Sequence, residues 1–404
     1  LEWEPCYSVP ENATDIHAGD RVRVIFAGKE YIAAVSATGI TPETDPKKIK
    51  PILSVETDME RILPQEIELW KKVAQYYMCT TGEVYRAAYP AGKINLEEAR
   101  AAAREKALKR KERVIQSIQA KVGRLENRLE KKLAQAVKSK DGTKTKAECL
   151  KMADSIKEEL ERANKAYEAA QAGKEAVEKG LIRYESPITE SVIMLSDAQK
   201  TAYESIIEGF SAGRPVMLHG VTGSGKTEIY IKLAQEALRK GMNVLYLVPE
   251  IALSRQLEER LRGYFGQKLM TFHSAQSAAS RRDTASLIRR AGSETGSYVV
   301  LGTRSSIFLP HNNLGLIIID EEHDNSYKQD SPAPRYNGRD AAMMLARIHG
   351  SDVLLGSATP SLESLHNCNS GKYRLTELET RYHGCGNADI EIIDTKEEWR
   401  KNGM

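Results

Sequence analysis

Residues 215–228 read Pro-Val-Met-Leu-His-Gly-Val-Thr-Gly-Ser-Gly-Lys-Thr-Glu, and the reading of this stretch decides the fold. A short apolar run (Val216, Met217, Leu218) leads into Gly220-Val221-Thr222-Gly223-Ser224-Gly225-Lys226-Thr227. A helical pattern with Ile229, Ile231, Leu233 and Ala234 follows. The order is strand, glycine loop, helix, and the loop matches G-x-x-x-x-G-K-[ST] in full. Glycines let successive backbone N–H groups turn inward around an anion, and the helix N-terminus adds its positive end. Gly220, Thr222, Gly223, Ser224 and Gly225 are then expected to cradle the phosphates of ATP. Lys226 would reach the β- and γ-phosphates, and Thr227 would hold Mg²⁺. The alternative is a chance glycine loop, against which the strand and helix on either side argue.

Working outward, the chain from Ser196 onward alternates strand and helix at close spacing, which predicts a parallel sheet with helices on both faces. Apolar strand candidates fall at 215–218, 244–248, 269–272, 298–301, 316–319 and 353–355. Continuous runs of this kind suit strands buried on both faces. The fifth ends in Asp320-Glu321-Glu322-His323, and the carboxyl end of a buried strand is where such sheets bind ligands. There Asp320 would bind Mg²⁺, directly or through water, and Glu321 would orient and deprotonate an attacking water. The alternative is an exposed acidic loop after a core strand. Three more stretches follow strands: 247–253, Gly302-Thr303-Arg304-Ser305, and Gly356-Ser357-Ala358-Thr359-Pro360-Ser361. Each could be ordinary turn chemistry, and all would lie on the same sheet edge as the nucleotide.

The 404 residues allow about two to four domains. Lys and Arg number 59 against 56 Asp and Glu, so net charge alone announces no nucleic-acid binder. The five cysteines (Cys6, Cys79, Cys149, Cys368, Cys385) form no C-x-x-C pair, so neither a disulfide framework nor zinc is expected. Free thiols point to the cytoplasm. No apolar run approaches membrane-spanning length and no signal-peptide pattern opens the chain, so no membrane partner is expected. The start Leu1-Glu2-Trp3 lacks Met, which suggests a fragment.

Residues 1–95 read as a small mixed domain. Residues 21–26 alternate, Ala27-Gly28-Lys29 turns, and 31–35 return, which is a hairpin signal. Residues 52–55 are a further strand candidate, and 64–78 an amphipathic helix with Ile67, Leu69, Trp70, Val73, Tyr76 and Tyr77. The basic hairpin is read as a solvated charged face in preference to a nucleic-acid contact. Residues 96–138 are rich in Ala, Glu, Lys and Arg. Leu108, Ile115, Val122 and Leu129 recur every seven residues, with Ile118 and Leu125 between them. A helix packed on a neighbour is the favoured reading over a dimer zipper. Asp141-Gly142 breaks the pattern, and 144–153 and 155–179 read as two further helices, followed by an extended piece at 183–192. A winged helix and a helical-hairpin spacer stay open as alternatives for 96–190.

The motifs together resemble superfamily 2 helicases, with motif I at 220–227, Ia at 249–256, Ib at 302–305, II at 320–323 and III at 357–359. The narrower pattern is Gly-Val-Thr-Gly-Ser-Gly-Lys-Thr-Glu-Ile-Tyr, Asp-Glu-Glu-His-Asp-Asn-Ser-Tyr-Lys-Gln, Arg335-Tyr336 with Arg339-Asp340, and Gly-Ser-Ala-Thr-Pro-Ser-Leu-Glu-Ser. It resembles PriA, the primosomal protein N′ family of bacterial replication-restart DNA helicases. The match is dense across 196–375. Gly19-Asp20-Arg21-Val22-Arg23-Val24 and Gly82-Glu83-Val84 look like that family's N-terminal DNA-binding domain.

The resemblance implies a multidomain chain. A 3′-end-binding, β-rich domain (1–95) and a helical, winged-helix-like domain (96–190) would precede a RecA-like P-loop lobe (191–404). It implies that Gln199 reads adenine, and that His323, Ser357 and Thr359 couple the phosphate site to DNA movement. Arg255, Thr303 and Arg304 would face the DNA strand. Tyr327, Lys328, Gln329, Arg335 and Tyr336 would form an aromatic-rich loop gripping unpaired bases by stacking, and Lys50 would sit in a 3′-end pocket. The family pattern is departed from at Cys6, where an acidic residue is expected, and at Ser331-Pro332-Ala333-Pro334, where a bulky ring is expected.

The implied activity is an ATP- and Mg²⁺-dependent 3′-to-5′ DNA helicase at stalled forks. Its partners would be forked and single-stranded DNA, primosome proteins and single-stranded-DNA-binding protein, and it would act as a monomer. The second lobe, its arginine fingers and the zinc cysteines are missing from this sequence, so little turnover is expected of it alone. Another superfamily 2 translocase, such as a restriction-enzyme motor, and a non-catalytic DNA-binding module are the competing readings.

Overall fold

The computed structural model describes residues 4–10, 15–42, 45–57, 60–88, 96–138, 144–178, 193–250, 252–290 and 296–380. The chain divides into two compact units. One comprises Leu1–Tyr89, Pro187–Ser274 and Ser286–Met404, and the other Pro90–Ser186 with Ala275–Ala285.

The first unit begins with strands β1 (Arg21–Phe26), β2 (Lys29–Ala34) and β3 (Ser54–Val55) in an antiparallel sheet of order β2-β1-β3. The expected hairpin forms, and its tip shows why. Ala27 and Gly28 both take positive φ (49° and 77°), which matches the right-handed twist of a tight hairpin. Val22, Val24 and Ile52 form its core. The basic face is not free: Arg21 is buried and donates to the Tyr85 hydroxyl at 2.5 Å, while Arg23 pairs with Glu30 and Glu56 at 2.6 and 2.9 Å. Helix α1 (Pro64–Tyr76) starts on a proline and buries Ile67, Leu69, Trp70 and Val73; α2 (Thr81–Ala88) packs beside it. Glu66 caps α1 by accepting from the Leu63 N–H at 2.8 Å.

In the second unit, α3 (Leu96–Lys138) and α4 (Lys144–Glu178) pack against each other. Gln119 meets Tyr167, and Glu112 meets Lys174, so they run antiparallel. Val122, Leu125 and Leu129 lie against Ile156, Leu160 and Ala163, as the seven-residue repeat predicts for a helix packed on a neighbour. The expected division of the second helix at Asp154 is corrected. The helix is continuous, because Asp154 is exposed, bonds to Lys157 at 3.1 Å, and no Gly or Pro stands near that position. Described residues 96–178 thus form a two-helix hairpin, and the expected extended piece at 183–192 lies outside the described residues.

The remainder of the first unit is an α/β lobe. Helix α5 (Asp197–Ser211) precedes β4 (Val216–Gly220), α6 (Lys226–Arg239), β5 (Asn243–Leu247), α7 (Arg255–Phe265), β6 (Leu269–Phe272), α8 (Ala278–Arg290, which falls in the second unit up to Ala285), β7 (Val299–Gly302), β8 (Leu314–Asp320), α9 (Gly338–His349), β9 (Asp352–Ser357), α10 (Leu362–Asn369) and β10 (Arg374–Leu378). The seven strands order as β10-β4-β9-β8-β5-β7-β6, every neighbouring pair parallel. The six expected strands all form, buried on both faces under helices, and Leu218, Val244, Leu245, Val299, Ile317 and Leu354 are fully inaccessible. The sequence reading missed β10. It is an edge strand whose Arg-Leu-Thr-Glu-Leu alternates in burial, and it pairs along β4 so that Leu378 stands beside Gly220. Among the described residues no helix is long and apolar enough to cross a membrane.

Candidate functional site

The carboxyl ends of β4, β9 and β8 bring the glycine loop and the acidic motif onto one edge. In register, Leu218 and Asp320 both align with Gly356 of the intervening β9. The loop is held by its own geometry. Gly223 and Gly225 take φ of 79° and 84°, a region that favours glycine, and Gly225 opens α6. A Cβ on Gly225 would lie 2.2 Å from Gln199 Nε2, and one on Gly220 would crowd Ser224 and Lys226. Lys226 is buried and donates to the Gly220 carbonyl at 2.8 Å. Ser224 Oγ is buried with no hydrogen-bond partner, the kind of group a phosphate oxygen would satisfy. Thr227 is half-buried in the first turn of α6, and Thr222 is exposed on the loop.

Gln199 sits at the centre of this arrangement. Its Oε1 accepts from the Ser196 N–H at 2.8 Å, and its Nε2 donates to the Gly225 carbonyl at 3.2 Å and the Ser224 carbonyl at 3.4 Å. The side chain is buried and both ends of the amide are engaged, so in this structure it ties α5 to the loop rather than presenting an open edge for adenine.

Asp320 closes the other side. Its Oδ1 accepts from the Tyr230 hydroxyl and its Oδ2 from the Tyr246 hydroxyl, each at 3.2 Å, and Tyr327 donates to its carbonyl at 2.7 Å. Burial, reinforced by neighbouring Glu321, pushes the Asp320 carboxyl up to about 6, while the Lys226 ammonium and the two phenols pull the other way. The two phenol rings meet edge to face at 5.7 Å. Position 356 must be glycine, because a Cβ there would collide with the Tyr230 hydroxyl. The sequence reading gave Tyr230 and Tyr246 no role. Their signal was a tyrosine four residues after Lys226 and another inside a buried strand. The Thr227 hydroxyl and the Asp320 carboxylate are oxygen donors of the kind Mg²⁺ takes, and the backbone N–H groups of the loop suit a triphosphate.

Glu321 adopts φ +45°, a left-handed conformation that is uncommon for a non-glycine residue. His323 Nδ1 lies 2.7 Å from Ser357 Oγ and 3.6 Å from Glu321 Oε2, and Thr359 Oγ1 is 3.4 Å from His323 Nε2. Ser357 Oγ also accepts from the Thr359 N–H at 3.0 Å. The expected coupling residues are therefore contiguous, and His219 on the loop strand joins them through the Ala358 carbonyl at 3.2 Å.

A second network was not foreseen. Glu322 is fully buried, yet its Oε1 accepts from the Ser361 N–H at 2.7 Å. Its Oε2 accepts from Ser361 Oγ and Ser364 Oγ at 2.9 Å and from Arg339 at 3.0 Å. Four bonds satisfy the carboxylate and fasten the acidic turn to α9 and the start of α10.

On the expected DNA-facing side, three readings need correction. Thr303 is buried, with its Oγ1 unpartnered, so it offers no surface to a strand. Tyr327 and Tyr336 are likewise buried, one bonded to Asp320 and the other edge-on to Phe308 at 5.0 Å. Neither is a stacking platform, because tertiary packing has claimed both rings. Arg304 donates to the Ser326 and Lys328 carbonyls at 2.7 and 3.1 Å and so clamps the loop. Gln329 donates to the Pro332 and Pro334 carbonyls, which folds the loop on itself. Lys328 and Arg335 are exposed, and Lys328 donates to the Arg335 carbonyl at 2.6 Å. Arg255 is exposed and pairs with Glu259 at 2.8 Å. Lys50 is exposed beside the stretch that carries Cys6, since its carbonyl accepts from the Ser8 N–H at 3.0 Å.

Comparison with known proteins bears on both parts of the first unit. The family model described as DEAD/DEAH box helicase matches residues 196–368, and that described as the 3′DNA-binding domain of PriA matches 6–90. The replication restart protein PriA of Chlamydia pneumoniae is 33% identical over 402 residues, covering 98% of this chain and 52% of its own length. PriA of Bacillus subtilis is 38% identical over 241 residues (56% and 29%), and that of Rickettsia conorii 45% identical over 209 residues (52% and 31%). The chain thus spans about half the length of the first of these relatives and about a third of the others. Among solved structures, the helicase domain of Pyrococcus furiosus Hef covers 54% of this chain and 47% of its own, at TM-score 0.37 and 18% identity, too distant to argue from. The resemblance to PriA is therefore shown on two separate stretches, the 3′DNA-binding domain at 6–90 and the helicase lobe at 196–368.

Proposed function

We propose that the lobe binds ATP with Mg²⁺ and that the protein is a 3′-to-5′ DNA helicase which restarts replication at stalled forks. The observation that carries this is the meeting of Lys226, Asp320, Glu321, His323 and Ser357 on one sheet edge. Gly220, Thr222, Gly223, Ser224 and Gly225 would cradle the phosphates by backbone N–H and hydroxyl groups. Lys226 would leave the Gly220 carbonyl for the terminal phosphates. Thr227 and Asp320 would hold the metal, which neutralises charge developing on the phosphates. Glu321 would take the proton of the attacking water, and His323 would report its position to Ser357 and Thr359.

Arg255, Arg304, Lys328, Arg335 and Lys50 remain our proposed DNA-facing or coupling cations. Thr303, Tyr327 and Tyr336 would act behind them, holding the loop. The partners that go with this reading are forked and single-stranded DNA, primosome proteins and single-stranded-DNA-binding protein, met by a cytoplasmic monomer.

All the nucleotide-facing groups named come from one lobe. Charge stabilisation from across a cleft is a separate contribution of about 10³–10⁵ in rate, so these 404 residues should bind ATP and turn it over slowly. ATPase of the intact gene product with forked and with single-stranded DNA tests the reading, with Lys226→Ala beside it. Stimulation by forks that Lys226→Ala abolishes is expected; no stimulation sinks it. The match at 6–90 favours this reading over a restriction-enzyme motor, and preference of that domain for a 3′-ended fork over blunt duplex is the discriminating measurement.

A further inference from the structure

Helix α3 is electrically lopsided. It carries thirteen Lys and Arg against six Glu, whereas α4 carries seven against eight Asp and Glu. The excess is also sorted by face. At about 100° per residue, Arg113, Arg124, Arg128, Lys131 and Lys138 fall within about 80° of arc. They lie on the side away from the seam formed by Val122, Leu125 and Leu129. No Asp or Glu lies on that arc between Arg113 and Lys138; the residues interleaved there are Ser117, Ala120 and Gln135.

All five cations are exposed and, among the described residues, none makes an ion pair. By contrast, Lys121 and Glu112 on the flanks pair with Glu159 and Lys174, and α4 pairs its own charges at Asp154–Lys157, Glu158–Arg162 and Glu161–Lys165.

We propose that this face of α3 is a binding surface for the phosphate backbone of duplex DNA. The inference rests on the reading that the chain acts on DNA, and names where a duplex would lie. The five cations span roughly 37 Å at 1.5 Å per residue, close to one turn of duplex at about 34–36 Å. Three are arginines, whose fork matches phosphate oxygens. The interleaved residues are small or neutral, so a backbone could approach without meeting a carboxylate. An anionic membrane fits less well, because the apolar stripe that would enter it is already buried against α4.

The test is duplex binding by the 404-residue protein, read as fluorescence anisotropy of a blunt duplex of about 30 base pairs across a series of NaCl concentrations. The variant Arg113→Gln/Arg124→Gln/Lys131→Gln removes three charges from exposed helical positions. The control Lys157→Gln/Arg162→Gln/Lys165→Gln removes three from α4. Each lost phosphate contact lowers the slope of log K against log salt by about one. The α3 variant should therefore lose about three from its slope and about tenfold or more in affinity near 0.1 M salt, with the control within about twofold.

Equal losses in both, or an unchanged slope in the α3 variant, overturn the proposal. So does an α3 variant that loses binding to phosphatidylserine vesicles while holding its affinity for duplex. If circular dichroism shows the triple variant has lost helix, Arg124→Gln and Lys131→Gln singly should each lower the slope by about one, and no change in either overturns the proposal. Failure of the unaltered protein to bind any duplex would remove the DNA reading as a whole. Strong binding by the unaltered protein with no change in the variants would remove only the assignment to α3.

Discussion

At the carboxyl edge of the sheet, the carboxylates and the amide that organise the site are largely buried, and each makes several hydrogen bonds. Glu322 accepts four hydrogen bonds, Asp320 is flanked by three phenols, and Gln199 uses both ends of its amide. Along the α3–α4 hairpin, charged side chains are exposed, several pair along or across the two helices, and one narrow apolar seam joins the helices. The difference teaches where single atoms matter. In a buried network, removing one partner strands the others in low dielectric. On a solvated helix, water takes over a lost partner's role.

The sharpest way to break this contrast is Glu322→Ala. Arg339 is largely buried, and the Ser361 N–H and two serine hydroxyls would lose their acceptor at the same time. A loss of about 3–5 kcal/mol is expected, read as a shift in urea unfolding. Glu322→Gln tests the charge alone. The amide keeps the shape, but its NH₂ cannot accept from Arg339, so it should also lose stability, and Arg339→Gln beside it should recover part of the loss. A loss below about 1 kcal/mol for Glu322→Ala would mean that the network is no more than a solvated cluster.

His311 gives the next effect. Its Nε2 lies 2.9 Å from the Ser306 carbonyl, which can only accept, so Nε2 carries the proton and Nδ1 is buried without a partner. Burial pushes the imidazole down to about 4 from its ordinary 6.5. A folded-state value below the unfolded one means that the unfolded chain binds the proton first as pH falls. The contribution is full above about 6.5 and is lost between there and about 4. The change is on the order of 3 kcal/mol. Urea unfolding between pH 7 and 4 should show that slope, and His311→Gln should flatten it.

The same contrast explains what could be read from the sequence. The glycine loop and the acidic motif are contiguous, so their chemistry was legible. The six expected strands were legible because burial leaves apolar runs, even at β6 on the sheet's far edge, where Leu269, Met270 and Phe272 are buried. β10 was not, because its Arg-Leu-Thr-Glu-Leu places charged residues between its buried ones and leaves no apolar run. Glu322, Arg339 and Ser361 appear in the quoted motifs, but they are separated by 17 and 22 residues, and only the fold joins them. Tyr327 and Tyr336 misled for the same reason, since residue type does not say whether a ring faces solvent or core. In the hairpin, α3 announced its repeat with Ile, Val and Leu. The matching seam of α4 (Cys149, Ala153, Ile156, Leu160, Ala163) keeps the four-three spacing but mutes it with small side chains.

Leu125→Ala sharpens the comparison from the hairpin's side. Leu125 is buried, but among the described residues its cluster comes from two helices, so the void can collapse. A loss of about 2 kcal/mol is expected, at the low end for buried leucine. Native-state hydrogen exchange should read it as roughly thirtyfold faster opening of α3 amides, by the factor of ten per 1.4 kcal/mol, while α6 amides are unchanged. Equal acceleration of α6 would show that the two units do not open independently.

The smallest effect is expected where the N-terminal domain meets the lobe. Tyr77, just after α1, accepts from the Asn337 N–H at 3.0 Å and lies under Lys328 Nζ at 5.5 Å. Burial pushes its hydroxyl up to about 12, so it stays protonated and can also donate to the Asn337 carbonyl at 3.4 Å. Asn337 caps α9, and Lys328 follows Tyr327, which holds the Asp320 carbonyl. Tyr77→Phe keeps the ring under the lysine and removes the hydroxyl, so about 1 kcal/mol is expected, read by urea unfolding. Tyr77→Leu removes the cation–π contact as well and should add about 0.5–1 kcal/mol. If both variants unfold like the parent, the contact behaves like the exposed pairs of the hairpin. If the phenylalanine alone costs its kilocalorie, the networked chemistry of the sheet edge extends as far as the N-terminal domain.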